Sequence, residues 1–398
     1  LEVCFVLKSQ HDNKDIVVKA LRPFGTSIFT DMTALANTHG AINLSQGFPD
    51  FDGPEAVRKK AAEAIIRGPN QYAPSMGIPQ FRDAVSRKMR RFYGVEVDPE
   101  TEVTITSGAT EGLCATLLAI LEPEDELILL EPWFDSYPPI AALAGARIRY
   151  VSLEVPDFSL PREALEKAFN DRTKAILINS PQNPCGKVFT QDELAFIAGL
   201  CVKHDAYVIG DEVYEYLVYD GREHVTLLSL PELRDRAFVI SSTAKTFSMT
   251  GWKQGWVVAA RNLTQAVRMS HQFIVFCGQS PLQEAMAFAL DLPDFYYDQF
   301  HTDYTRRKDL LCESLLDLGF RVFVPEGTYY VMVDIQSMGY GDDLAFCRML
   351  PQEAGVAAIP ASYFWKNRSR GRNLVRFCFC KREETLHEAI RRLKRWLK

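Results

Sequence analysis

The sequence has no Gly-x-Gly-x-x-Gly between a strand and a helix, the turn that seats a dinucleotide pyrophosphate, so a nicotinamide-dependent dehydrogenase finds no support. It also lacks a basic excess. With 45 Lys and Arg against 51 Asp and Glu, the formal net charge of -6 argues against a ligand held mainly through a nucleic-acid backbone. No apolar run approaches the ~18 residues that cross a bilayer, the longest lying near Cys114 to Leu121, so no membrane partner is expected. The nine cysteines show no paired short spacing apart from Cys378-Phe379-Cys380. They read as reduced thiols of a cytoplasmic compartment, and no metal is expected. Leu1 to Leu7 is mostly apolar but has neither the basic leader nor the cleavage site of a signal peptide. Because residue 1 is not Met, a truncated, processed or artificially extended start is expected. Internal repeats and low-complexity linkers are missing too.

What is present is ordinary globular material, 47% hydrophobic and 24% charged over 398 residues, enough for two or three domains. From about Pro99, short unbroken apolar runs alternate with helical segments: Glu102 to Thr106, Glu126 to Leu130, Lys174 to Asn179, Ala206 to Gly210 and Ala237 to Ser241. Such runs predict a mainly parallel α/β sheet covered on both faces. The last hundred residues mix a helix near Tyr304 to Leu318, strand-like Tyr329 to Asp334, a helix from Asp342, strand Leu374 to Cys380 and an amphipathic helix from Glu383. That predicts a separate α+β domain. The basic runs Arg87 to Arg91 and Arg391 to Arg395 read as solvated helix faces.

Ligands of open parallel sheets sit outside the carboxyl ends of the strands, so the polar clusters just after each strand matter most. Ser107-Gly108-Ala109-Thr110 opens a helix, and its free N–H groups suit an anion; a plain capped turn is the alternative. Asn183, between two prolines, can offer an uncharged hydrogen bond, or simply form a turn with cis X-Pro bonds. Asp211 ends an apolar strand and needs a cationic or hydrogen-bonding partner, such as a protonated ring nitrogen, unless it caps the next turn. Lys245 lies among small and aromatic residues. Desolvation there would leave the neutral amine that a Schiff base requires, although the usual fate of a lysine is the surface. Ser242 and Lys253 are placed to share a phosphate with the Ser107 turn.

Ser-Gly-Ala, Asn-Pro-x-Gly, Asp-x-x-Tyr, Ser-x-x-x-Lys and Gly-Trp-Lys, in this order, resemble the class I/II aminotransferases of pyridoxal phosphate (PLP) fold type I, from about Arg22 to Leu397. Asn43 to Asp50, Asn70-Gln71-Tyr72, Glu131 to Asp135 and Arg376 to Phe379 resemble the kynurenine–glutamine and methionine aminotransferase branch. The resemblance implies a seven-stranded sheet between helix layers. It implies an N-terminal arm and part of the small domain over 1–50, a large cofactor-binding domain over 51–295 and a C-terminal small domain over 296–398.

It further implies that Lys245 carries PLP and moves the substrate proton, that Asp211 holds the pyridine nitrogen, and that Tyr214 and Asn183 hold the ring's 3′-oxygen. Phe134 would stack on the ring. Gly108, Ala109, Thr110, Ser242 and Lys253 would hold the phosphate, with Lys253 where many relatives have Arg. Gly47, Asn183 and Arg376 would bind the substrate, Arg376 through its α-carboxylate; a strand Arg in a salt bridge is the alternative. Tyr72 would reach the phosphate of a neighbouring subunit, which implies a homodimer with shared sites.

No second Arg can be assigned to a distal carboxylate, so neutral, sulfur-containing or aromatic donors are expected. Ile28, Trp133, Tyr137 and Phe276 are pocket candidates, or core. A carbon–sulfur β-lyase would use the same motifs, and a non-catalytic PLP-fold binding protein is the rival from another class.

Overall fold

Most strands of the central sheet are built largely from Val, Ile, Leu and Ala, as burial on both faces favours. In the computed structural model, which describes residues 16–398, seven strands form this sheet: β1 (Val103–Thr106), β2 (Glu126–Glu131), β3 (Arg147–Ser152), β4 (Thr173–Asn179), β5 (Tyr207–Asp211), β6 (Ala237–Ser242) and β7 (Gly255–Ala259). The apolar start Leu1 to Leu7 lies outside the described residues. The order across the sheet is β1-β7-β6-β5-β4-β2-β3, and β7 runs against the other six. Two strands carry no clear signal in the sequence. β3 is a half-exposed edge with Arg147 and Arg149 in its run, and β7 follows the Thr250–Trp252 turn almost without a break.

Helices cover both faces. Gly108–Ile120 packs against Arg261–Ile274, and Pro79–Tyr93 and Glu55–Arg67 pack against Ser280–Leu290. Their ends follow capping chemistry: Pro79 opens its helix at the first turn and Gly94 closes it in the left-handed region, while Thr190 and Glu193 form a reciprocal capping box. Among the described residues no helix is long and apolar enough to cross a membrane, and the eight described cysteines are all free.

The C-terminal part is built on a second, antiparallel sheet of β8 (Arg321–Phe323), β9 (Tyr330–Asp334), β10 (Ile359–Pro360) and β11 (Leu374–Cys378), in the order β10-β11-β9-β8. The helix expected from Tyr304 begins earlier, at Asp294, directly after Pro293. Residues Ile42–Asn43 pair in parallel with Val356–Ala357, which ties the N-terminal segment to this region.

One sequence expectation is overturned. The run Arg87 to Arg91 is not a wholly solvated face, because Lys88 is buried and its ammonium pairs with the equally buried Glu215. Glu215 also accepts a hydrogen bond from Ser241 Oγ at 2.6 Å and one from the Tyr93 hydroxyl. Burial pushes the Glu215 carboxyl up, but Lys88, with His224 and the Ser241 hydrogen bond, more than offsets it and the net shift is downward. Arg391 to Arg395 does follow the expectation, with Arg391 and Arg392 paired to Glu388 on the exposed side and Leu393 in the core.

Lys88→Met alone is therefore expected to cost about 3–5 kcal/mol, because it strands a buried carboxylate. K88M/E215Q, which removes the charge and keeps an acceptor, is expected to recover most of it; denaturant unfolding of the two variants reads the difference. Because the Glu215 carboxyl is held low in the folded state, its contribution is present above the unfolded value and fades as pH falls through the folded one.

Candidate active site

The carboxyl ends of β1, β4, β5 and β6 deliver Ser107, Asn179, Asp211 and Ser242 to one edge of the sheet, as the topology of a parallel sheet requires. They surround a cavity of about 360 Å³, within the size range of small-molecule sites. Gly47, Gly108, Ala109, Thr110, Phe134, Asn183, Asp211, Tyr214, Ser242, Lys245 and Lys253 all line it. Eleven residues singled out from the sequence thus meet in one space.

Asp211 is buried at the end of β5. Its Oδ2 accepts the Tyr137 hydroxyl at 2.7 Å, and burial pushes its carboxyl up to about 6. Lys245 sits in the short helix Thr243–Thr246 that follows β6, with its Nζ 5.6 Å from the ring centres of both Tyr214 and Tyr329. The residue keeps some exposure through the cavity, but its amine is enclosed, and desolvation brings it down to about 8. On the order of a tenth of the amine is then neutral at pH 7, far more than for an ordinary lysine. Tyr214 donates to the Tyr330 hydroxyl at 3.3 Å and is buried beside it.

At the opposite end of the cavity lies the β1 turn. Gly108 takes φ +77°, and a methyl there would lie 3.4 Å from Lys253 Nζ, so the ammonium sits directly against the turn. Lys253 itself is left-handed, with φ 52°. The N–H groups opening Gly108–Ile120, the buried Ser242 hydroxyl and the Lys253 ammonium together form a donor set for an anion.

Arg376 lies on β11, fully buried against Asn183 and Tyr330, which line the cavity; it does not line the cavity itself. Its Nη1 donates to Asn183 Oδ1 at 2.6 Å and its Nη2 to the Ser45 carbonyl at 2.8 Å, while its Nε is buried with no partner among the described residues. Its guanidinium stacks 3.9 Å from the Tyr330 ring centre. The salt-bridge alternative therefore fails, since no carboxylate of the described chain is paired with this arginine. Gly47 is required to be glycine, because any side chain there would overlap the Tyr330 hydroxyl.

Tyr72 stands apart. It is 83% exposed, packs edge-on against Phe276 at 5.3 Å and does not line this cavity. Ile28, Trp133 and Phe276 do not line it either, and Tyr137 hydrogen-bonds Asp211 instead of forming pocket wall. Sequence reasoning missed Asn179, whose Nδ2 donates to the Asp211 carbonyl at 2.8 Å and whose Oδ1 accepts from Asn183 N at 2.7 Å. It also missed Asp135, which accepts from Ser27 Oγ at 2.8 Å beside Phe134. The Asn179-x-x-x-Asn183 spacing was the available signal for the first; the second joins residues 108 apart and left none.

The donor set at the turn, the low-pKa amine, the buried carboxylate and the aromatic Phe134 fit a flat aldehyde bearing a phosphate. The unpartnered Arg376 Nε fits a ligand carboxylate. Among the described residues no group of His, Cys, Asp or Glu is placed to hold a metal ion.

Residues 39–393 match the family model for aminotransferase class I and II. A probable N-succinyldiaminopimelate aminotransferase of Mycobacterium tuberculosis is 44% identical, covering 95% of this chain and 98% of that protein. The methionine aminotransferase of Escherichia coli is 38% identical over 96% of this chain and 99% of that protein. The solved structure of the M. tuberculosis N-succinyldiaminopimelate aminotransferase superposes with a TM-score of 0.93 at 45% identity, covering 96% of this chain and all of that one. The chain therefore belongs to the class I and II aminotransferases, PLP-dependent enzymes of fold type I.

Proposed function

We propose that this aminotransferase takes the α-amino group from a neutral, sulfur-containing or aromatic L-amino acid of the methionine, glutamine or kynurenine type and passes it to a 2-oxo acid in a ping-pong cycle. The observation that carries the substrate class is the cavity's charge. The cations that line it are Lys245 and Lys253, with Arg376 buried behind the lining residues Asn183 and Tyr330, each with a role in binding cofactor or α-carboxylate, and the remaining charge not assigned to the cofactor is the acidic Asp135. A distal carboxylate would meet no further cation among the described residues that line the cavity.

Bound PLP supplies an aldehyde that captures amines and a ring that takes up electrons. The protein does the rest. Gly108, Ala109, Thr110, Ser242 and Lys253 hold the phosphate. Asp211, kept in place by Tyr137, retains a proton on the ring nitrogen, and Phe134 stacks on the ring. Tyr214 and Asn183 hydrogen-bond the ring oxygen. Arg376 and Gly47 bind the substrate carboxylate, leaving its Cα near Lys245 Nζ, which removes the Cα proton. Enclosure by Tyr214, Tyr329 and Tyr330 excludes water. The division into an arm and part of the small domain over 1–50, a large domain over 51–295 and the rest of the small domain over 296–398 belongs to the same proposal.

The exposed apolar residues Tyr72, Met269 and Phe273, at 83%, 71% and 86% exposure, support a homodimer in which Tyr72 completes the partner's site. Free cysteines support a cytoplasmic location. The name of the M. tuberculosis relative favours a second reading, an acylated diamino acid as the substrate.

Three outcomes are expected. In a donor panel, methionine, glutamine or kynurenine bleaches the cofactor absorbance and yields keto-acid-dependent amino transfer, with glutamate and aspartate slow. Faster turnover of N-succinyldiaminopimelate would favour the second reading, and pyruvate with ammonia from cysteine conjugates would reveal β-lyase activity. Lys245→Ala abolishes both turnover and borohydride trapping, and Asp211→Asn lowers kcat by roughly 10²-fold or more. In apoprotein, acylation of Lys245 by a small amine-reactive ester, followed by peptide mass spectrometry, shows a midpoint near pH 8. D211N shifts that midpoint lower, since the carboxylate raises the amine's pKa; a midpoint near the ordinary lysine value would refute the desolvated amine.

A further inference from the structure

Behind the Ser107 turn, on the side away from the cavity, lies a buried pair that the proposed chemistry does not use. Glu111, in the first turn of Gly108–Ile120, accepts the Ser107 N–H through Oε2 at 3.0 Å. Its Oε1 lies 2.9 Å from Nδ1 of His271, a fully buried residue on Arg261–Ile274. The other ring nitrogen, Nε2, lies 2.8 Å from the Ser75 carbonyl.

Proton counting fixes the state of the pair. A carbonyl oxygen can only accept, so Nε2 carries a hydrogen. A carboxylate likewise only accepts, so Nδ1 carries one too unless Glu111 itself is protonated. In either arrangement the pair holds one proton more than a neutral imidazole beside a carboxylate, and its net charge is zero. Burial alone would pull the imidazole down, but the hydrogen bond and charge of Glu111 offset it and the net shift is upward.

A carboxylate is a good acceptor for the Ser107 N–H, yet bare negative charge behind an anion-binding turn opposes the anion. We infer that His271 is a positioning residue for the cofactor phosphate: it neutralises Glu111, so that Glu111 can order the Ser107–Thr110 turn without repelling the phosphate on the other side. This rests on the proposed assignment of the phosphate to that turn. The Ser75 contact extends the same link to the segment that follows Tyr72.

The test is a charge rescue read by PLP affinity of the apoprotein, from tryptophan quenching, with thermal melting of each apoprotein as the folding control. His271→Gln keeps a donor for Glu111 but strands its charge, and is expected to raise the PLP Kd about tenfold. Glu111→Gln leaves a neutral histidine with both contacts satisfied, and should stay within about twofold of wild type, well inside the tenfold step of 1.4 kcal/mol. H271Q/E111Q, neutral throughout, should return most of the affinity lost in H271Q. Unchanged affinity in a folded H271Q, or a double variant as weak as H271Q, overturns the inference. If H271Q alone yields no folded apoprotein, recovery of folded, PLP-binding protein in H271Q/E111Q supports the neutralisation, and a double variant equally defective refutes it. Lys253→Met separates the two readings. Wild-type affinity there would reject the phosphate assignment itself, whereas weakening there with none in H271Q would reject only the role of His271.

Discussion

A single line of hydrogen bonds holds the site together. It runs from the Asp211 carbonyl to the Asn179 side chain, from Asn179 to the Asn183 backbone, from the Asn183 side chain to Arg376, and from Arg376 to the Ser45 carbonyl. Every member but Ser45 comes from the end of a strand or the turn after it, or from an inner strand of the smaller sheet. Asp211 and Arg376, the residues proposed to face the cofactor nitrogen and the substrate carboxylate, are thus fixed relative to one another. Interior hydrogen bonds of this kind are costly to leave half made, so the whole line forms together or not at all.

Desolvation acts in two directions along this frame. It raises Asp211 and lowers Lys245, which brings an acid and a base toward neutrality from opposite sides. Neither shift needs a special charge partner; each follows from placing the residue where β5 and β6 end, beneath a layer of tyrosines. Burial that tunes a carboxyl up or a lysine down toward the working pH is how general acids and bases are made effective.

Much of this was legible in the sequence because parallel strands announce themselves as unbroken apolar runs and their polar termini follow at once. Asp211, Ser242 and Lys245 were found that way. The arrangement of β3 and β7 was not, since an edge strand carries charge and β7 is five residues long after a tight turn. Lys88 was misplaced because a helix with basic residues at successive turns looks solvated until its buried partner, 127 positions away, is known. The support that Tyr137 and Asn179 give Asp211 escaped for the same reason: from the sequence Tyr137 is only a pocket or core candidate, each partner lies far from Asp211 in the chain, and only the Asn179-to-Asn183 spacing left a signal.

Ser27 both caps the helix Ile28–Thr38 and donates its hydroxyl to Asp135. The cavity wall formed by Ser27, Phe29 and Thr30 consequently hangs from loop and helix start, while the machinery around Lys245 is rooted in the sheet. Breadth of the pocket and chemistry of the pocket can then vary independently over evolution. Relatives of one architecture, named for donors as unlike as methionine and N-succinyldiaminopimelate, are what such independence would produce.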